Sequence, residues 1–283
     1  MKLGKFQIDA LDTGVFGLDG GSMFGVVPKT MWSKAYHGGD ELNRIPLAAR
    51  PLLIQWDDKK VLIDAGNGTK WNEKMISIYN IDMEKSDIRR ALAAFDVTPD
   101  QITDVIFSHL HFDHCGGATV LENNLSVPVF GNAKHYVQKD HLEWALKPLE
   151  KDRASFIKEN FIPILENGLF ETVDGEGEIF PGISVIPVFG HTKAMQMIKI
   201  TENGQSLLYC ADLAPTSAHI HIPVGLSFDN YPVTTIEEKK KYIPMAQEEG
   251  WIIVYEHDVF KQASKINRTE KVFSADSEIK ITE

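Results

Sequence analysis

Residues 108–117 read SHLHFDHCGG and place four side chains that commonly bind metal ions within six positions. His109, His111, Asp113 and His114 directly follow the apolar run 105–107 and its neighbour Ser108. Imidazole nitrogens suit zinc, iron and similar metals, whereas carboxylate oxygens accept harder ions and can bridge two metals. Because the chain contains only ten histidines, chance clustering explains this block poorly. The block therefore predicts a metal site.

Three further candidate ligands lie far along the chain, each at the end of an apolar run. ISVIPVFGH ends at His191, SLLYCAD ends at Asp212, and WIIVYEH ends at His257. Such runs are typical of buried strands, and ligands gather outside the carboxyl ends of strands in open α/β sheets. Five histidines and two aspartates exceed what one tetrahedral zinc needs and suit two metals with a bridging hydroxide. We therefore expect all seven side chains to converge.

The elements that must position these residues include both strands and helices. Charged turns at 56–60 and 202–205 separate apolar runs and indicate β-hairpins. Residues 84–95, 136–146 and 235–249 have apolar residues at helical spacing, with Pro244 inside the last segment. A loose alternation of strands and helices favours an α/β or α+β layered domain over a helical bundle.

Composition limits the classes of partner. A net charge of −11 disfavours nonspecific binding to nucleic acid or to an anionic membrane. No stretch approaches the length of a transmembrane helix, and we find no signal-peptide pattern. Two cysteines, Cys115 and Cys210, are too few for a disulfide framework, although one disulfide between them stays open. We expect a soluble cytoplasmic protein.

The ligand pattern resembles the metallo-β-lactamase superfamily, from VLIDAGNG at 61–68, where Asp64 matches an early structural aspartate, to YEHD at 255–258. This resemblance implies an α/β fold, the αβ/βα four-layer sandwich, as one domain over residues 1–283. It implies that His109, His111 and His191 hold a first divalent metal, that Asp113, His114 and His257 hold a second, and that Asp212 bridges them. Zinc is the expected metal, and Fe, Mn or Co also fit these ligands.

Segments 19–32 and 210–220 most resemble quorum-quenching N-acyl-homoserine lactonases and the related methyl parathion hydrolases. Residues 19–50 would then form a lid or dimerisation segment of a homodimer. Met23, Phe24, Val26 and Trp32 would contact an acyl chain in such a lid. The alternative is that these side chains pack in the core or at a dimer interface.

One departure from the lactonase pattern concerns substrate positioning. Known lactonases carry a tyrosine three residues after the bridging aspartate, and here Pro215 holds that position. His219, Phe228 and Tyr231 are then candidates for substrate contact. The other departure is Met195, which replaces a histidine that is not normally a ligand.

The resemblance implies a hydrolase that opens the lactone ring of N-acyl-homoserine lactones, with Asp113 and Asp212 as catalytic residues. An organophosphate or other ester hydrolase is the alternative within the superfamily. A single-iron oxidoreductase and a non-catalytic sensor are alternatives from other classes. We interpret His37, His135 and His141 as ordinary histidines and the two cysteines as small buried hydrophobic residues.

Overall fold

The computed structural model describes residues 1–270 and 272–282. Its strands are β1 (Lys2–Leu3), β2 (Phe6–Ala10), β3 (Val15–Asp19), β4 (Arg44–Ala48), β5 (Leu52–Trp56), β6 (Lys59–Ile63), β7 (Asp104–Ile106), β8 (Thr119–Glu122), β9 (Leu125–Pro128), β10 (Lys134–Gln138), β11 (Phe170–Val173), β12 (Gly177–Phe180), β13 (Ile183–Val188), β14 (Met195–Glu202), β15 (Gln205–Tyr209), β16 (Ile252–Val254), β17 (Ala263–Ser264), β18 (Ile266–Arg268) and β19 (Phe273–Ala275). Its α-helices are α1 (Gly20–Phe24), α2 (Lys29–Ala35), α3 (Glu73–Tyr79), α4 (Ile88–Ala93), α5 (Phe112–Cys115), α6 (Lys139–Leu146), α7 (Ile162–Glu166) and α8 (Pro232–Glu248). Short 3-10 turns occur at Pro99–Gln101, Gly116–Ala118, Lys158–Asn160, Ala211–Leu213 and Ser217–Ile220.

The chain divides into two compact units. Unit 1 comprises residues 1–16 and 48–175 together with Thr282. Unit 2 comprises residues 17–47 and the described part of 176–281. Each unit combines a sheet with helices, which agrees with the predicted α/β class. The single domain over 1–283 stays a prediction.

Unit 1 is built on a mixed sheet with strand order β1-β2-β5-β6-β7-β10-β11. Strands β6, β7 and β10 run parallel to one another, so their carboxyl ends lie at one edge. Leu53, Leu62 and Val105 lie in register on neighbouring strands. They belong to one buried apolar cluster with Ile88 and Leu92 of α4. Burial of this face holds the edge that carries the candidate ligands.

Unit 2 is built on a sheet with strand order β12-β13-β14-β15-β16-β17. Strand β14 is antiparallel to both β13 and β15, and β15 is parallel to β16. Strands β13, β15 and β16 therefore run in the same direction, and their carboxyl ends share one edge of this sheet. That edge is where His191, Asp212 and His257 were expected.

The secondary-structure predictions hold in part. Both predicted hairpins are present, as β5–β6 and β14–β15. The helix predicted over 136–146 is wrong for its first three residues, which belong to β10 and pair in parallel with β7 and β11. The helix predicted over 84–95 contracts to α4, where the side chain of Asp87 caps the first turn. The helix predicted over 235–249 is present as α8 and contains Pro244.

Within the described residues, we find no helix that is both long enough and apolar enough to cross a membrane.

Candidate metal centre

The first group of candidate ligands lies in unit 1, where the chain leaves β7. This strand ends at Ile106, and His109 follows three residues later. The chain continues through His111 into α5, which carries Asp113 and His114, and all four side chains are buried. The Nε2 atom of His109 lies 3.1 Å from Nδ1 of His111. Nε2 of His114 lies 3.8 Å from Oδ1 of Asp113.

Asp64, directly after β6, fixes the orientation of one of these ligands. Its carboxylate accepts a hydrogen bond from the Ser108 backbone N–H at 2.7 Å and another from the Ser108 hydroxyl at 2.6 Å. Its Oδ2 atom also lies 3.0 Å from Nδ1 of His114. A buried carboxylate at this distance favours a proton on Nδ1, which leaves Nε2 available to bind a metal.

His141 supports the same segment from α6. Its Nε2 atom accepts a hydrogen bond from the backbone N–H of Leu110 at 2.8 Å, and its side chain is fully buried. Leu110 separates the candidate ligands His109 and His111, so this bond fixes the backbone between them. His141 is thus a buried, hydrogen-bonded core histidine, as expected, and its partner Leu110 lies between two candidate ligands.

Close backbone packing holds the ligand segment against the loop that follows Asp64. The backbone N–H of Ala65 donates to the carbonyl of His114 at 2.6 Å. A Cβ atom at Gly68, whose φ is +68°, would overlap the backbone of Gly116, and one at Gly117 would overlap the carbonyl of Ala65. Glycine is required where two backbones approach this closely. The glycines after the histidine block, Gly116 and Gly117, thus allow close backbone packing.

The second group of candidate ligands lies in unit 2, at one edge of its sheet. Each of β13, β15 and β16 is followed, three residues after its last residue, by His191, Asp212 or His257. All three side chains are buried. The Nε2 atom of His191 lies 3.1 Å from Oδ2 of Asp212, and Nε2 of His257 lies 3.3 Å from Oδ1 of Asp212. Asp212 therefore presents one carboxylate oxygen to each histidine.

Asp229 lies beside Nδ1 of His191, in the same way that Asp64 lies beside Nδ1 of His114. Its Oδ1 atom lies 3.0 Å from Nδ1 of His191, and its Oδ2 accepts a hydrogen bond from the Leu226 backbone N–H at 3.1 Å. Burial alone lowers the pKa of His191, but the carboxylates of Asp212 and Asp229 raise it to about 9. The negative potential that causes this rise also favours a bound cation. Nothing in the sequence around position 229 marks this residue, because its partner is 38 positions away.

The donor chemistry of both groups fits divalent metal ions. Within unit 1, the ligand atoms of His109 and His111 lie within 4.8 Å of one another, as do those of Asp113 and His114. Buried imidazole nitrogens beside carboxylate oxygens form the nitrogen-and-oxygen donor set that zinc and similar metals prefer. Buried carboxylates beside such histidines are costly unless a cation compensates them. These clusters could therefore bind metal.

A family comparison then decides the class of the protein. The profile of the Metallo-beta-lactamase superfamily matches residues 46–257. The chain belongs to the metallo-beta-lactamase superfamily. Membership confirms the predicted family, its α/β fold and the class of metal-dependent hydrolase.

Relatives within the metallo-beta-lactamase superfamily include lactonases. The N-acyl homoserine lactonase AiiA of Bacillus thuringiensis subsp. kurstaki is 28% identical over 226 residues, which cover 75% of this chain and 82% of that protein. The N-acyl homoserine lactonase AttM of Azorhizobium caulinodans is 26% identical over 220 residues, which cover 73% of this chain and 80% of that protein.

Two solved structures resemble the chain over nearly its whole length. A probable metal-dependent hydrolase from Staphylococcus aureus has a TM-score of 0.89 and 31% identity, covering 99% of this chain and 100% of that one. AidC, a dizinc quorum-quenching lactonase solved in complex with a product, has a TM-score of 0.81 and 19% identity, covering 99% of this chain and 96% of that one. AidC therefore shares the fold.

Three of the four apolar side chains named for the predicted lid are buried in unit 2. Met23, Phe24 and Trp32 are at most 2% exposed, and the rings of Phe24 and Trp32 stack with centroids 5.5 Å apart. This burial is what the packing alternative expects for these three side chains, and their contact with an acyl chain stays a prediction. Val26, by contrast, is 96% exposed and Met31 is 62% exposed. Acyl-chain contact by Val26, and a homodimer through this segment, stay predictions.

The three residues suggested in place of the lactonase tyrosine differ in their surroundings. His219 is buried, with Nε2 at 2.8 Å from the Met23 carbonyl and Nδ1 at 2.7 Å from the Thr216 hydroxyl, and burial lowers its pKa to about 4. Since both ring nitrogens already bond to the protein, the structure favours a packing role for His219. Phe228 and Tyr231 are exposed, and the Tyr231 N–H donates to the carbonyl of Gly190 beside the candidate ligand His191. These two residues stay candidates for substrate contact.

The two cysteines behave as small buried hydrophobic residues. Both are buried, and neither forms a disulfide within the part of the chain that the structure describes. The Sγ atom of Cys115 lies 3.4 Å from the Leu110 carbonyl, and Sγ of Cys210 lies 3.3 Å from the Ala214 carbonyl. Burial raises the pKa of Cys115 and raises that of Cys210 to about 12. Protonated thiols are poor metal ligands and poor nucleophiles.

We expect Asp229→Asn to weaken metal binding about tenfold to a hundredfold, the usual effect of losing a carboxylate behind a ligating histidine. The amide keeps the size of the side chain but removes the charge that holds the proton on Nδ1 of His191. Competition with a chromophoric chelator would measure the dissociation constant. Asp100→Asn, at an exposed aspartate in a 3-10 turn, is the matched control. Equal affinities in the two variants would contradict this role of Asp229.

Proposed function

We propose that the chain is a dinuclear metal-dependent hydrolase that opens the lactone ring of N-acyl-homoserine lactones. The observation that carries the dinuclear part is the geometry of Asp212, whose two oxygens face two different candidate ligands at 3.1 and 3.3 Å. A carboxylate in this arrangement suits a bridge between two metals. The names of AiiA and AttM as N-acyl homoserine lactonases support the substrate class.

In this proposal the seven side chains divide between two divalent ions, with zinc first and Fe, Mn or Co as alternatives. One ion takes His109, His111 and His191, the other takes Asp113, His114 and His257, and Asp212 binds both. Asp64 and Asp229 keep protons on Nδ1 of His114 and His191. Nε2 of each histidine is then the nitrogen that would bind a metal, and metal binding would displace any proton from it.

Two metals supply activation of water and polarisation of the carbonyl at neutral pH. The residues of the chain supply position and proton transfer. We assign Asp113 the role of proton carrier, because its carboxylate is buried beside the candidate ligand His114. One carboxylate oxygen would take the proton that the attacking water loses and return it to the alkoxide that departs when the lactone C–O bond breaks. The carboxylate of Asp212 is oriented by two neighbours, since one oxygen faces Nε2 of His191 and the other faces Nε2 of His257.

Hydrolysis followed with a pH indicator tests this function. The panel comprises N-acyl-homoserine lactones with short and long acyl chains, together with methyl paraoxon, on protein of measured metal content. We expect turnover of the lactones. The exposed apolar side chains of the predicted lid, Val26 and Met31, would set the preference for acyl-chain length. Turnover of methyl paraoxon alone would replace the lactonase with an organophosphate hydrolase. Metal-loaded protein that hydrolyses neither would reject the proposed substrates.

A further inference from the structure

An aromatic cluster borders the ligand segment of unit 1. Phe112 lies on α5 between the candidate ligands His111 and Asp113. Its ring contacts the edge of Trp71, with centroids 5.2 Å apart, and stacks on Tyr79, with centroids 5.1 Å apart and planes inclined by 29°. The rings of Trp71 and Tyr79 also contact each other at 5.9 Å. Mutual packing of the three rings therefore fixes the position of Tyr79.

The hydroxyl of Tyr79 is the polar group of this cluster that packing leaves unused. Tyr79 is the last residue of α3 and is only partly buried. In residues 1–270 and 272–282, no protein group forms a hydrogen bond with this hydroxyl. Trp71 differs, because its indole N–H already donates to the Asn67 carbonyl at 3.0 Å. Tyr79 therefore offers the cluster an uncommitted hydrogen-bond donor.

The charge state of Tyr79 suits donation. Burial, followed by the nearby carboxylate of Asp113, raises the pKa of its phenol above the ordinary value of 10.0. The phenol is thus protonated at neutral pH, and an acceptor oxygen of a ligand is its natural partner.

The cluster combines an apolar aromatic surface with one donor at its margin. An amphiphilic ligand matches this arrangement when an acceptor oxygen is attached directly to its apolar chain, as the amide carbonyl is in an N-acyl lactone. We propose that Tyr79 is a substrate-binding residue whose hydroxyl donates a hydrogen bond to the amide carbonyl of such a substrate, an inference that rests on the proposed lactonase function. Tyr79 would then favour lactones that carry an amide over alkyl lactones that lack one.

Tyr79→Phe tests this role because it retains the ring that stacks on Phe112 and removes only the hydroxyl. The assay compares an N-acyl-homoserine lactone with a γ-alkyl butyrolactone of similar chain length. We expect kcat/KM for the acyl-homoserine lactone to fall about tenfold, mainly through KM, as for one lost hydrogen bond. We expect the value for the alkyl lactone to stay within about twofold. Metal content and Tm are measured alongside.

Tyr136→Phe is the matched control, since it removes a phenol that donates to Asp104 at 3.3 Å on the neighbouring strand. The control variant should leave kcat/KM unchanged for both lactones. Equal losses on both lactones in Tyr79→Phe, or no loss on either, would overturn the assignment while leaving the lactonase intact. Failure of the wild-type chain on both lactones would instead reject the proposed function, and the assignment of Tyr79 with it.

Discussion

Replacing Asp212 with asparagine should lower kcat/KM for lactone hydrolysis about a thousandfold or more, because two-metal stabilisation of the reaction is worth several kcal/mol. The side chain is buried and faces His191 and His257 with separate oxygens. Asparagine preserves its size but replaces one of those oxygens with an amide NH2 group, whose lone pair is delocalised into the carbonyl and is not available to a metal. Bridging then becomes impossible, although each histidine remains in place.

Steady-state kinetics and metal analysis on the same preparation check this result. The expected outcome is loss of activity together with loss of at least part of the bound metal. Asp100→Asn again serves as the control for an exposed aspartate. An Asp212→Asn enzyme with activity within about tenfold of the wild type would exclude a bridging role, since a lost bridge costs far more than the 1.4 kcal/mol of a tenfold change.

Removal of the metals should lower Tm by about 10 °C, which corresponds to a binding contribution of about 4 kcal/mol at a thousandfold excess over Kd. The physical reason is the set of buried carboxylates, including Asp113 and Asp212, that a cation would neutralise. Without a bound cation, these buried negative charges are poorly solvated and destabilise the folded state.

Thermal unfolding followed by circular dichroism, before and after dialysis against a chelator, measures this change. Restoring zinc should restore Tm. The Asp212→Asn variant should respond much less to the chelator, because its site is already weakened. A wild-type Tm that the chelator leaves unchanged would show that the buried carboxylates are stabilised by the protein alone.

The candidate metal ligands could be identified from the sequence because their signal is local. The block at 109–114 is compact, and His191, Asp212 and His257 each follow an apolar run that forms a strand. The structure adds that each of these ligands comes three residues after the strand ends, so a tight turn separates sheet and site. Spacing alone placed the candidates at the correct strand ends.

The supporting residues could not be predicted, because their partners are distant in sequence. Asp229 acts on His191 and His141 acts on Leu110, and neither residue lies in a recognisable motif. The apolar segment around Phe24 and Trp32 left two interpretations open for a related reason. An apolar run shows that side chains avoid water, but only the fold shows whether they pack on one another or face a ligand.

Tyr79 also lacked a sequence signal. It ends a short surface helix, and its proximity to Phe112 depends on the path of the chain between β6 and β7. The stacking contact and the uncommitted hydroxyl become visible only in three dimensions.

Titration of metal-free protein with zinc, with lactone hydrolysis followed at each addition, tests the central claim most directly. A dinuclear lactonase predicts activity that rises to a plateau at about two equivalents of zinc per chain. A plateau at about one equivalent would contradict the dinuclear centre. Absence of lactone hydrolysis at every zinc level, with the metal bound, would contradict the lactonase itself.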